Sequence, residues 1–289
     1  MLKTRNKFIA ITALLLIAFS PVLADDTPGR EDLTIDLTDE SEVFIEIDFS
    51  AGELNIKPGA PGLVAHVKGD YDDRDFEHDC YYKKNRDEGD LVLEVSTIDH
   101  HFNDIDGSDN YWMLELGTGV PIDLEMDIGA ADCDLDLGGI MLTSLDIDVG
   151  AADCDMRFSE PNPTRLDEII MDAGASSLEV HDLGNANFRY LQFDGGVGSY
   201  ELDFSGDLNF DGEASISVGL GSIEVYIPGN VGVKLRMDDG LFSSIDFPER
   251  QFREIRDDVW ESKNWDSAES HLELELDIGM GSAEITIGR

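Results

Sequence analysis

The chain has 289 residues, of which 63 are acidic and 20 are Lys or Arg, so its formal net charge is −43 at pH 7. A field of this sign excludes nucleic acids and anionic lipids as partners, because phosphate binding requires positive charge. The apolar fraction of 42% is large enough for a sizeable core and excludes a disordered acidic tail.

The first 24 residues have the features of a secretory signal peptide. Three basic residues precede an apolar run over residues 8–19, and Val22 and Ala24 stand at positions minus three and minus one of a cleavage site. The run is shorter than the roughly 20 apolar residues of a membrane-spanning helix, and no later segment qualifies. We therefore predict cleavage after Ala24 and a secreted or periplasmic protein that does not span the membrane. Its mature charge is −46, from 63 acidic and 17 basic residues.

A repeated phrase organises the rest of the chain. GAADCD begins at Gly129 and again at Gly150, 21 residues later, and related phrases follow after a further 24, 22 and 23 residues. Such a period is typical of stacked repeats. The turn residues on which the phrases align are Ser50, Gly129, Gly150, Gly174, Gly196, Gly219 and Gly279.

Within each repeat, polar and apolar residues alternate with period two, which is the signature of strands. Apolar residues stand five and three places before the turn, for example Leu145 and Ile147, and again four and six places after it. We expect these positions to form core columns, because units of this size bury their apolar faces only by stacking. Glycine at the turn permits a positive φ or a tight bend.

The repeats predict an all-β protein, a parallel β-solenoid resembling a single-stranded right-handed β-helix, with an antiparallel β-sandwich as the alternative. We expect an N-terminal β region with a polar insertion over 25–120, core repeats over 121–247, and a helical lid with a final β repeat over 248–289. The helix is predicted because Phe252, Ile255 and Val259 follow a helical spacing, and because the last coil of a solenoid needs a cover.

Several ordered motifs also resemble a known group of proteins. LEMDIGAADCDLDLGGIMLTSLDIDVGAADCDM, FDGGVGSYELDFSGDL and SISVGLGSIEVYIPGNVGVKLR are similar to the bacterial toast-rack, or "putative adhesin", domains, which are related to the C-terminal domain of LiaF-type cell-envelope stress proteins. The resemblance covers residues 31–289. It implies an envelope-exposed, β-rich, non-enzymatic domain. LiaF-type proteins carry membrane helices before this domain, whereas this chain begins with a predicted cleavable signal.

Acidic residues form outward-facing columns on both sides of the turn. If neighbouring carboxylates lie roughly 5 Å apart, each contact costs about 1 to 3 kcal/mol. Either turn amides cap the aspartates and salt screens the remainder, or calcium bridges the coils, or a basic partner docks there. The candidate calcium ligands in these columns are Asp127, Asp148, Asp172 and Asp194 before the turn, and Asp134 and Asp155 after it.

Two further groups could bind metal. Asp104, Asp106 and Glu115 follow the spacing of a calcium loop, but Asp109 stands where an EF-hand requires glycine, so a solvated loop is the competing interpretation. Asp99, His100 and His101 offer transition-metal ligands, although adjacent histidines in a strand point in opposite directions.

The cysteines and the absence of catalytic motifs bear on function. Cys133 and Cys154 occupy equivalent positions in adjacent coils, where in-register parallel strands favour two stacked thiols over a disulfide. The sequence contains no GxSxG elbow, P-loop or HExxH motif. We predict an exported, non-enzymatic, adhesin-like binding or structural module of the cell envelope, with no cofactor except calcium as a candidate. Its partner is an envelope or surface component. The alternative is a carbohydrate-active enzyme, a lyase or hydrolase, on a β-helix scaffold.

Overall fold

The computed structural model of the protein describes residues 29–98, 110–208 and 210–288, with only the backbone at 239–241. The predicted signal peptide and the residues Asp99, His100, His101, Asp104, Asp106 and Asp109 lie outside these residues. The strands are β1 Gly29–Asp36, β2 Glu42–Pro58, β3 Leu63–Tyr71, β4 Phe76–Asn85, β5 Glu88–Thr97, β6 Asn110–Leu116, β7 Ile122–Asp136, β8 Leu142–Val149, β9 Asp153–Arg157, β10 Leu166–Ala173, β11 Ser177–His181, β12 Phe188–Asp203, β13 Gly212–Ile227, β14 Gly232–Asp246, β15 Phe252–Arg256, β16 Val259–Ser262 and β17 His271–Ile287.

Each repeat forms one rung with two arms that meet at the glycine turn. The first arm of β7 pairs with β8, so that Leu124 lies beside Leu145, and its second arm pairs with β9, so that Cys133 lies beside Cys154. All rungs of the repeat pair in parallel and in register, which confirms the predicted parallel solenoid. First arms pair with first arms and second arms with second arms within one continuous 17-stranded sheet, and we call its two halves the first-arm sheet and the second-arm sheet.

The order of the rungs differs from the order of the chain at both ends. The strands β5 and β6 together form a rung on the outer side of β2, whose other side pairs with β7. At the opposite end, β17 lies between β13 and β14 and pairs in parallel with both. The stacking order is therefore β5/β6, β2, β7, β8/β9, β10/β11, β12, β13, β17 and β14.

The core lies between the two sheets, as the period-two pattern predicts. Leu145 and Ile147 are 0% and 2% exposed, and the equivalent side chains of the other rungs are buried with them in one continuous cluster. Burial of this kind contributes about 1.5 to 3 kcal/mol for each large aliphatic side chain. Because every rung contributes to the same columns, the core runs along the whole stack and holds the outer faces rigid.

Antiparallel strands cover both ends of the stack. At the N-terminal end β1 pairs with β3, β3 with β6, and β4 with β5. The polar stretch from Asp70 to Asp90 includes β4, which is an edge strand. At the other end β16 pairs with β14 and with β15. Exposed edges of parallel sheets are open to further pairing, and these strands occupy them.

The predicted helix over the lid segment is wrong. Residues 252–262 form the hairpin of β15 and β16 around a turn in which Asp258 has φ 60°. Phe252 and Val259 are each 4% exposed, whereas Ile255 is 46% exposed. The seven-residue spacing arises because both buried residues face the core from neighbouring antiparallel strands. The only helical residues of the lid described by the structure are the 3-10 turns Glu249–Gln251 and Trp265–Ser267.

The turn glycines are required by close stacking rather than by backbone conformation. A Cβ on Gly150 would lie 2.9 Å from the carbonyl oxygen of Gly129 in the preceding rung. The positive φ expected at the turn is instead found two residues later, for example at Gly221, where φ is 148°. A Cβ on Gly221 would lie 1.9 Å from the carbonyl oxygen of Gly198. Both the conformation and the available space therefore require glycine at this position.

Candidate functional site

The outer face of the first-arm sheet carries a continuous line of carboxylates, which we name the aspartate column. Its members stand two places before the turn, and each lies beside the equivalent residue of the next rung. Only Ser217 interrupts the column. The acidic members, in stacking order, are Glu94, Asp48, Asp127, Asp148, Asp172, Asp194, Asp277 and Asp238.

Turn amides do not cap these aspartates, contrary to one expectation from the sequence. The amide of Gly150 donates a hydrogen bond to the carbonyl oxygen of Ile128 at 2.7 Å, and the amide of Ala151 donates to that of Gly129 at 2.7 Å. The stacking of rungs therefore uses the donors that a cap would need. Asp194 accepts a hydrogen bond from Nε2 of Gln192 at 2.6 Å, within its own strand.

Desolvation and neighbouring carboxylates raise the pKa of two members of the column. Partial desolvation, followed by the carboxylates of Asp194 and Asp148, raises the pKa of Asp172 above its usual 3.8. Desolvation together with Asp127 and Glu94 raises the pKa of Asp48 in the same way. Like charges disfavour the ionised form of each neighbour. The column is consequently a surface on which an external cation relieves repulsion.

A second line of acids lies on the outer face of the second-arm sheet. Asp134 lies beside Asp155 in register. These acids have basic side chains beside them within the protein: Nη2 of Arg157 is 3.3 Å from Oδ1 of Asp134, and Nε2 of His181 is 3.9 Å from Oδ1 of Asp155. The six predicted ligands are thus divided between two faces, and the face of Asp127, Asp148, Asp172 and Asp194 is the one with fewer internal counter-charges.

Glu115 is engaged in ion pairs within the N-terminal region. Its Oε1 lies 2.9 Å from Nζ of Lys57, and its Oε2 lies 3.4 Å from Nδ1 of His66. Hydrogen bonding and charge attraction from Lys57, with a further contribution from His66, hold the pKa of Glu115 below its usual value. Within the described ranges, no group of three or more His, Cys, Asp and Glu side chains converges closely enough to hold a metal ion.

The cysteines of the repeat are stacked thiols. Cys133 and Cys154 lie side by side in register, and both are buried and free. The hydrogen bond with Cys133 and burial raise the pKa of Cys154 well above its usual range. Desolvation raises the pKa of Cys80 to about 12. Such thiols are poor nucleophiles because the thiolate is the reactive form.

The sequence pattern missed part of the acidic face. Glu94 and Asp238 extend the aspartate column, but their rungs lie outside the regular period: no glycine follows Glu94 two places on, and Gly240 follows Asp238 in a degenerate repeat. Asp146 lies beside the column in the next outward position of β8, and desolvation with Asp172, Asp148 and other acids raises its pKa. Asp146 stands at an outward position in the alternation of β8, and this pattern could have identified it from the sequence.

The described part of the chain contains no helix long and apolar enough to cross a membrane. The family model described as the N-terminal domain of toast_rack, DUF2154, matches residues 24–181. No curated protein matches the chain.

Similar solved structures include two bacterial proteins. A "putative cell adhesion protein" from Clostridium sporogenes ATCC 15579 is 16% identical, with a TM-score of 0.49, and the match covers 90% of this chain and all of that one. A "putative adhesin" from Bacteroides fragilis NCTC 9343 is 10% identical, with a TM-score of 0.41, and the match covers 91% of this chain and 98% of that one.

Proposed function

Because the chain belongs to the toast-rack family, we propose that it is an exported, non-enzymatic binding module of the cell envelope that engages a cationic partner through the aspartate column. The column is the observation that carries this proposal. It places a carboxylate on nearly every successive rung of a rigid stack. Each is about one strand spacing, roughly 4.8 Å, from the next.

The charge of the surface determines the class of partner. A row of like charges gains free energy when positive charge approaches, because repulsion is relieved at several members together. An extended basic segment of a surface protein neutralises the carboxylates of several rungs at the same time. Calcium is a second cation that carboxylate oxygens bind, and it would act here as a bridge between rungs.

The even distribution of acids supports a binding module over a carbohydrate-active enzyme. Acid–base hydrolysis of a glycoside needs two carboxyl groups in unequal environments, so that one of them keeps its proton. In the aspartate column the environment repeats from rung to rung. The protein would therefore present a uniform surface to a partner rather than a localised acid pair to a substrate.

Binding of a fluorescent octalysine peptide, followed by anisotropy at low salt, tests the proposal. We expect the variant Asp127→Asn/Asp148→Asn/Asp172→Asn to lose about tenfold in affinity, since charge complementarity is removed from three adjacent rungs. The matched control is Glu179→Gln/Glu201→Gln/Glu224→Gln, which removes three stacked acids from the outer face of the other sheet.

The control separates a specific surface from the overall charge. We expect the control variant to lose less than about threefold in affinity, because the long-range field changes equally in both variants. Equal losses in the two variants, or no binding of the peptide to the unaltered protein, contradict the proposal. Sequencing the N-terminus of protein recovered outside the cytoplasm tests the export step.

A further inference from the structure

The bend between the two sheets forms an edge along the stack, which we name the corner ridge. It consists of the residues that follow the turn glycines or occupy the matching place in the other rungs. In stacking order the ridge begins with small residues and ends with large ones. They are Ala51, Ala130, Ala151, Ala175, Val197, Leu220, Met280 and Phe242.

The large half of the ridge is an exposed apolar surface. Val197, Leu220, Met280 and Phe242 are 54%, 46%, 48% and 74% exposed, and each lies in register with the next. Glycines flank three of them, so their side chains stand clear of neighbouring side chains. Contiguous apolar surface of this kind on a highly charged protein marks an interaction site.

The alanine half of the same ridge forms a shallow groove. It has a volume of about 790 Å³ and is lined by Ala130, Ala151 and Ala175 together with Asp132 and Asp153. The large half and the alanine half of the ridge each contain four rungs, and the groove extends along the alanine half as far as Val197. Both follow the spacing of strands in a sheet, roughly 4.8 Å.

The polar flank of the ridge changes one rung earlier, between Asp153 and Ser177. Two residues after the ridge, on the second-arm side, the groove half carries Glu53, Asp132 and Asp153, followed by Ser177. The large half carries serines at the matching positions, namely Ser199, Ser222, Ser282 and Ser244. One half of the corner is therefore apolar with uncharged hydroxyl donors, and the other is recessed with carboxylate acceptors.

From this arrangement we infer that the corner ridge is the interface of a two-fold symmetric dimer in which two copies lie antiparallel. The large half of each copy fills the groove of the other, with Leu220 opposite Ala151 and Met280 opposite Ala130. A two-fold interface joins the same patch on both copies, and this ridge is complementary to itself only when one copy is reversed.

The antiparallel alignment also governs the charges on the flank. It places Ser222 of one copy opposite Asp153 of the other, and Ser282 opposite Asp132, so that hydroxyl groups meet carboxylates. A parallel two-fold alignment would instead turn the second-arm flank of each copy towards the aspartate column of the other. In the antiparallel alignment the first-arm sides also face each other, so the aspartate columns of the two copies approach. Salt screens that repulsion, so the dimer forms more readily at high ionic strength.

The size of the contact predicts a weak dimer. Eight rungs at the spacing of strands give a ridge roughly 35 Å long. A contact confined to this narrow ridge buries less than the roughly 800 Å² that each partner buries in a stable complex. Sedimentation velocity over a range of protein concentrations, at low and high NaCl, measures the association. We expect monomer at low salt and a growing dimer fraction at high salt and high concentration.

Substitutions on the exposed ridge test the pairing without disturbing the core. We expect Leu220→Ser to weaken the dimer about tenfold, since apolar contact is lost at two symmetric places. Ile255→Ser is the matched control, because Ile255 is also 46% exposed but lies on β15, off the ridge. Ala151→Leu should weaken the dimer by filling the groove. The double variant Leu220→Ala/Ala151→Leu should restore it, because large and small residues exchange places.

Four results overturn the inference. The first is a protein that stays monomeric at all concentrations and salts. The second is an equal effect of Leu220→Ser and Ile255→Ser, and the third is a failure of the double variant to recover. The fourth is that the monomer sediments with phosphatidylcholine vesicles and that Leu220→Ser abolishes this binding. That result would assign the ridge to a lipid surface and overturn the dimer inference. Circular dichroism establishes that each variant is folded.

Discussion

Removal of one charge from the middle of the aspartate column should stabilise the protein. Asp172 lies in register between Asp148 and Asp194. Two carboxylates roughly 5 Å apart in water repel by about 0.8 kcal/mol, so the two neighbours together contribute about 1.6 kcal/mol before screening. The Debye length of about 8 Å at 0.15 M reduces this to about 0.9 kcal/mol, and the length of about 3 Å at 1 M reduces it to about 0.3 kcal/mol.

Urea unfolding of Asp172→Asn measures this repulsion, because urea is uncharged and leaves the ionic strength free to vary. We expect a gain of about 1.4 kcal/mol at 0.01 M salt, which corresponds to a midpoint about 0.5 M higher for an m-value of about 3 kcal/mol/M. The gain should decline steadily as NaCl is raised. Asp207→Asn is the control, since it removes the same charge from an exposed loop outside both acidic columns.

The pH dependence gives the same reasoning a second measurement. The pKa of Asp172 is raised in the folded protein, so its contribution to stability is fully present below pH 3.8, the value of the unfolded chain, and is lost as pH rises through the folded pKa. The unaltered protein should lose this contribution on going towards neutral pH, and Asp172→Asn should not. A gain that is the same at 0.01 M and 1 M NaCl, or a gain equal to that of Asp207→Asn, refutes the argument.

Calcium and the turn geometry give two further predictions. Calcium chloride should raise the melting temperature more than sodium chloride of equal ionic strength. The reason is that a divalent ion bridges carboxylates of neighbouring rungs, whereas sodium only screens them. Identical shifts of the melting temperature in the two salts would exclude bridging. Gly221→Ala should lower the unfolding free energy by about 2 kcal/mol or more in urea titration, because its positive φ and the carbonyl of Gly198 both oppose a Cβ. Gly62→Ala is the control for this substitution, since a Cβ at Gly62 would meet no atom within 4 Å, and an equal loss in both variants would contradict the stacking explanation.

The acidic face could be predicted from the sequence because it depends on local alternation. In a strand, successive side chains point to opposite sides, so the position of Asp127 or Asp148 relative to the buried Met126 and Ile147 already assigns it to the outer face. The same rule identifies Cys133 and Cys154 as core neighbours. It does not show which acids have internal partners, because Arg157 and His181 reach Asp134 and Asp155 only through stacking.

The lid shows where a spacing rule is ambiguous. Residues seven apart lie on one face of a helix, but they also come together when a short hairpin returns the chain on itself. Phe252 and Val259 satisfy both arrangements, and the turn at Asp257 and Asp258 contains no glycine that would indicate a hairpin. Pairing of β16 with the open edge of β14 decides between them, and that edge exists only once the stack has formed.

The sequence by itself determined which face of each strand is buried, where each rung bends, and how the core columns are composed. Only the tertiary structure decided which rung lies beside which. Backbone hydrogen bonds between parallel strands in register are nearly the same for any pair of rungs, so the period of the sequence does not specify neighbours. The last strand, β17, therefore lies between β13 and β14, and Met280 comes to lie between Leu220 and Phe242. The continuity of the corner ridge is a consequence of that order.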